Sequence, residues 1–257
     1  MYLIFLVVTA LAAAAFAAYG VRHRQRAGFS YFAVLEAAAV GWILCYLAQQ
    51  LDPARARFWF AVKYPFIAAV APSWFLFVRA QVGRPLAGRD AWPFYVWPVV
   101  VGPLLLTNDL HRAFFTDIVQ RRELVGLNGP LALFNLALTY LFFFAGAALL
   151  GREAARRQGL DRWRSLLLLA GGALPIVANA LNQAAKLVPA FGERLDFNPT
   201  LPGVALSAVF FGWVSQRYGL LDPRPLAREL LFESMTCLLY TSPSPRDLST
   251  SRMPSSA

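Results

Sequence analysis

Charge is scarce in this chain of 257 residues. Asp, Glu, Lys and Arg together make up 15% of it, against about 25% in an ordinary soluble domain. Residues that carry chemistry are scarce too. The histidines are His23 and His111, and the cysteines are Cys45 and Cys237. The cysteines make neither a metal spacing nor a convincing disulfide pair. No HExxH, CxxC or phosphate-cradling glycine loop occurs. These absences leave no catalytic residue, no metal site and no cofactor to expect.

What the chain has instead is apolar sequence in long blocks, 58% hydrophobic overall. A helix that crosses a hydrocarbon core of about 30 Å needs roughly 20 mostly apolar residues. Seven such blocks can be drawn, at about 3–19, 31–48, 58–78, 91–107, 131–150, 165–188 and 201–214. They predict an all-α membrane protein built as a seven-helix transmembrane bundle, with the lipid bilayer as its first partner. The first block, LIFLVVTALAAAAFAAY, competes with a signal peptide. A signal peptide, however, carries its basic cluster before the apolar run. Here RHRQR (Arg22 to Arg26) follows it, which favours an uncleaved first helix with its N-terminus outside.

Basic residues set the orientation of a multi-pass protein. With the N-terminus outside, 14 of the 24 Lys and Arg fall in inside segments and 6 in outside segments. Lys63 and Lys186 lie within blocks, and Arg246 and Arg252 lie in the tail, which completes the 24. The bias predicts an outside N-terminus and a cytoplasmic C-terminus, and seven spans require opposite termini. The net charge of +10 then follows from topology, with some contact to anionic lipid heads. No nucleic-acid partner is expected.

Ionisable groups at membrane depth cost a few kcal/mol each and are functional candidates by default. Glu36, Lys63 and Lys186 qualify. Both lysines are long enough to snorkel to the outer headgroups, and Glu36 is placed to meet the basic loop Arg22 to Arg26. No block holds an Arg ladder or paired carboxylates on one face. Block six does hold a polar stripe, LPIVANALNQ, in which Asn179, Asn182 and Gln183 share a helix face just beyond Pro175. Such a stripe serves either as interhelical hydrogen bonding or as the polar wall of a ligand cavity. On the outer side, TNDLHRAFFTDIVQRRELVGLNGP (Thr107 to Pro130) offers Asn108, Asp109 and His111 beside Phe114 and Phe115. The last outer loop adds Glu193, Asp196 and Asn198. Together these loops can frame a mouth for a small ligand.

Several pieces carry a resemblance. They are FWFAVKYPFIAAVAPSWFLF, LLLTNDLHRAFF, ALPIVANAL, LDFNPTLPGVALS and RYGLLDPRPLARELLFESM. With them, residues 1 to about 235 resemble the seven-helix N-terminal sensor region of bacterial membrane histidine kinases. The better markers are TN-x-x-H and the run from Asp196 to Pro199 into the last helix. The resemblance implies a multi-pass sensor of the bacterial inner (plasma) membrane within a two-component system. It also implies a small-molecule ligand or membrane state as the stimulus, work as a homodimer, and a PAS-type and then a kinase domain after the last helix. The parts would be a sensor domain over 1–219 and an exit helix over 220–235. In that exit helix Pro225, Leu226, Arg228, Leu230 and Leu231 would relay the signal along an amphipathic face.

The final stretch, CLLYTSPSPRDLSTSRMPSSA, holds six Ser and three Pro among 21 residues. By composition it cannot bury enough apolar surface to fold. Its codons can be written as a transposon mosaic end followed by a sequencing adapter, with LST spanning an index. Residues 236–257 are therefore expected to be a non-native tail, and the parent protein to be longer. This fragment itself should have no enzymatic activity. A small polytopic transporter or channel, or an intramembrane enzyme using His111 or Glu36, are the competing readings.

Overall fold

In the computed structural model, the described residues are 2–86, 88–120, 124–187 and 199–218. They are almost wholly helical. The long helices are α1 (Tyr2–Arg22), α2 (Phe29–Leu51), α3 (Ala56–Gln81), α5 (Pro93–Leu106), α7 (Pro130–Arg156), α8 (Gly159–Leu187) and α9 (Thr200–Tyr218). Each overlaps one of the seven apolar blocks. The single turns α4 (Gly88–Ala91) and α6 (Asn108–His111) flank α5. Among the described residues, five helices are long and apolar enough to cross a membrane: α1, α2, α3 with the turn before it, α7 and α8. The apolar helix α5 has only 14 residues, about 21 Å of rise. This is an all-α membrane fold with one addition.

The addition is a two-stranded antiparallel hairpin, β1 (Phe115–Gln120) and β2 (Leu124–Asn128). It lies inside the stretch that reads as a loop in the sequence. The period is masked there by charged residues and by an irregular register between Phe115 and Asp117.

Residues 1–213 form one compact unit, and most of the second unit, 214–257, lies outside the described residues. Within the first unit α3 is the hub, packing against α2, α5 and α7, while α1 lies on α2 and α8 on α7. One core cluster joins α1, α2 and α9 through Leu6, Trp42, Ile43, Tyr46 and Leu201. A second joins α3, α5, the hairpin and α7 through Phe60, Val101, Leu105, Phe114 and Phe115. Large apolar side chains elsewhere point outward, among them Ile4, Leu11, Val99, Leu141, Phe144 and Val177. On a soluble protein such a surface would be an interaction patch; on spanning helices it faces lipid.

Small residues let these helices approach, as is usual where lipid offers no hydrophobic drive to association. A Cβ at Gly20 would stand 2.9 Å from the Cβ of Ala33, and one at Gly41 would stand 2.5 Å from the Phe66 ring. Prolines sit inside α3 (Pro65, Pro72), α5 (Pro98, Pro103) and α8 (Pro175). Membrane helices tolerate them where neighbours re-satisfy the freed carbonyls. At the α7–α8 turn, Arg157 donates from Nε to Glu153 at 2.6 Å and from a terminal nitrogen to Asp161 at 3.0 Å. Both carboxylates push its guanidinium further above its ordinary range, the Glu153 hydrogen bond most.

Gly41→Val should therefore separate α2 from α3 and lower the thermal stability of the lipid-embedded protein by about 1–3 kcal/mol. Gly151→Ala, which meets only open space, should leave it unchanged or slightly raised. A thermal-shift comparison of both variants in one nanodisc preparation checks the pair.

Candidate functional site

Two places hold the polar residues singled out in the sequence, and they do different things. The first is the knot between α5 and the hairpin. Asn108 is buried, and its amide binds backbone only. Its Oδ1 accepts from the Phe114 and Phe115 N–H groups at 3.1 and 3.0 Å, and its Nδ2 donates to the Phe115 carbonyl at 2.9 Å. His111 is exposed and also engages backbone. Its Nδ1 accepts from the Ala113 N–H at 3.0 Å, which leaves the proton on Nε2 to donate to the Leu104 carbonyl at 3.0 Å. Arg112, between them, takes a left-handed φ of 50°. Asp109 is exposed and reaches Arg57 at 4.0 Å, a surface pair of small worth.

Of the three residues expected at a mouth on this side, Asn108 is buried, while Asp109 and His111 are exposed. Phe114 and Phe115 are fully buried and stack edge-on against Tyr64. The hairpin thus packs its base onto α3 and α7. Asp196, Glu193 and Asn198, the other half of the expected mouth, lie outside the described residues, as do Pro225, Leu226, Arg228, Leu230 and Leu231 of the exit helix.

The second place is a cavity of about 100 Å³ among α2, α3, α7, α8 and α9. Its walls are mostly apolar, with Trp42, Trp74, Phe143 and Phe211 as the large rings. Its polar members are Glu36, Thr139, Asn179, Thr200 and Ser207, and Pro175 lies beside them. Glu36 is 4% exposed. Among the described residues no hydrogen bond or ion pair reaches its carboxyl, so the expected contact with the Arg22 to Arg26 loop is absent. Thr139 and Ser207 donate their hydroxyl protons to the carbonyls of Asn135 (2.9 Å) and Gly171 (2.8 Å). Asn179 accepts from the Tyr140 hydroxyl at 3.2 Å.

Asn179 therefore ties α8 to α7 and also lines the cavity. Gln183, one turn on, accepts from Asn128 of the hairpin at 3.5 Å. Asn182 is half-buried and makes no side-chain hydrogen bond to a described residue. Lys63 differs from expectation as well. It does not snorkel. It is buried, donates to Gln49 at 2.9 Å, and lies 4.3 Å over the Phe60 ring. The side chain of Lys186 lies outside the described residues.

Trp74 closes the cavity against two helices at once. A Cβ at Gly146 would stand 3.2 Å from its Nε1, and one at Gly172 would collide with its six-membered ring. Its indole N–H is buried without a hydrogen-bond partner among the described residues. Sequence reasoning missed Trp74, Thr139 and Ser207 as site residues. The signal available was the Gly171–Gly172 pair just before Pro175, which marks a close approach on α8.

A comparison with protein families matches the N-terminal 7TM region of histidine kinase over residues 5–225. The chain belongs to that family. This is the family that the sequence resemblance implied. No curated protein and no solved structure matches it. The match takes in both the Asn108 knot and the cavity. No group of three or more His, Cys, Asp or Glu is placed to hold a metal among the described residues.

Asn108→Ala strands two buried N–H groups and a carbonyl. It should cost about 1–3 kcal/mol and expose the hairpin to protease, whereas Asp109→Ala should do neither. Limited proteolysis with thermal unfolding distinguishes the two. Gly172→Ala should displace Trp74, seen as a changed tryptophan emission together with a lower Tm.

Proposed function

We propose that this chain is the input region of a sensor histidine kinase of the bacterial inner membrane. In this reading seven helices span the bilayer with the N-terminus outside, and a small molecule in the cavity shifts the bundle between two packings. The observation that carries the reading is the family match over residues 5–225. The cavity supplies a place where a stimulus can act. Val204, Ser207 and Phe211 of its wall recur along one face of α9, so an occupant presses directly on the last helix. From α9 the chain continues into residues 219–235, where Leu226, Leu230 and Leu231 would pass the movement to a cytoplasmic output domain, in a dimer. A ligand shifts such an equilibrium only by its differential affinity for the two packings.

The same reading holds residues 236–257 to be adapter-derived and the native frame to continue past Met235. Long-read sequencing of the source DNA across that codon should run into a PAS-like domain and then a kinase. Genomic DNA that encodes CLLYTSPSPRDLSTSRMPSSA and then stops would contradict it. Solute flux through the purified protein in proteoliposomes, absent under this reading, would favour a transporter or channel instead.

A further inference from the structure

The chemistry of the cavity walls is one-sided. Among the wall residues there is no Lys, Arg or His, so an anion would find no charged partner. Glu36 brings a buried carboxyl that nothing among the described residues engages. Thr139 and Ser207 have given their protons to backbone carbonyls and offer the cavity acceptor lone pairs only. Of the polar wall residues bonded in this way, Asn179 alone keeps spare N–H donors, since its carbonyl oxygen takes the Tyr140 hydroxyl. Apart from the Thr200 hydroxyl and the indole N–H of Trp74, the rest of the wall is apolar and aromatic.

We infer that the cavity binds a small monocationic amine, its ammonium on Glu36 and its short apolar body against Trp42, Trp74, Phe143 and Phe211. This deepens the sensor reading, since it names the ligand class of the site at which that reading has the stimulus act. An ammonium brings three donors and no acceptor, which complements a wall rich in acceptors. Its positive charge pairs with a carboxylate that is otherwise costly to leave ionised in an apolar site. Aromatic faces add cation–π attraction, the same device that recognises alkylammonium groups elsewhere. Size sets the other limit. A cavity of 150 Å³ accommodates benzene, so about 100 Å³ suits a body of roughly four or five heavy atoms.

The test is isothermal titration of the 257-residue chain in phosphatidylcholine nanodiscs at neutral pH, with empty discs subtracted. The zwitterionic lipid keeps ammonium from gathering at the headgroups. The probes are n-butylammonium and its neutral isostere 1-butanol. Saturable butylammonium binding is expected, at least about tenfold tighter than 1-butanol. Glu36→Gln should abolish that preference while leaving 1-butanol binding within about twofold. Phe143→Leu, which keeps the wall apolar, should weaken butylammonium more than 1-butanol and serves if the Glu36 variant does not fold. No saturable butylammonium binding, equal affinity for the two probes, or a preference untouched by both variants would overturn the inference. The titration needs no output domain, so its failure removes the amine and leaves the input role to be decided by the reading frame beyond Met235.

Discussion

No water reaches the hydrocarbon layer, so every polar group on a spanning helix must find its partner inside the protein. Most of this bundle can be understood from that constraint. The hydroxyls of Thr9, Thr139 and Ser207 bond to carbonyls of their own or a neighbouring helix. Ser73 pairs with Tyr95, Trp97 with Asn135, Tyr140 with Asn179 and Lys63 with Gln49. Each pair ties together two helices. Glu36 stands apart from this pattern. Its side chain turns inward and, among the described residues, meets a cavity in place of a partner.

The end of the bundle that carries the hairpin is organised differently. There the backbone itself leaves the helix, and its N–H and C=O groups need partners before they can be buried. Asn108 serves three of them from a single amide, and His111 serves two more with its ring in one tautomer. The aromatic cluster of Phe60, Tyr64, Phe114 and Phe115 then closes over them. In the TN-x-x-H piece, both Asn108 and His111 thus spend their side chains on backbone bonding.

Helix positions were legible in the sequence because a spanning helix is a composition signal, written in runs of Leu, Ala, Phe and Val. The hairpin was not, because its strands are short and their register is irregular between Phe115 and Asp117. Lys63 and Glu36 were visible as ionisable residues at depth, yet sequence could not say which way they turn. A helix of 23 residues such as α2 points Glu36 at lipid, at a loop or at the core according to how it is rotated. Rotation is set by contacts such as Gly41 on Phe66 and Gly20 on Ala33. The stripe of Asn179 and Gln183 was legible as a face, while its partners Tyr140 and Asn128 come from elements 39 and 55 residues away.

The central claim is that Glu36 faces the cavity for a ligand and holds nothing together in its absence. The most direct measurement is the unfolding free energy of Glu36→Met against the native chain in lipid, with no ligand added. Met keeps the length of the side chain and removes the carboxyl. Unchanged stability, or a gain of about 1–4 kcal/mol as when well-packed apolar groups replace buried charges, is the result predicted. A loss of about 3–5 kcal/mol, the signature of breaking a buried pair, would show that the carboxyl has a structural partner and contradict the account.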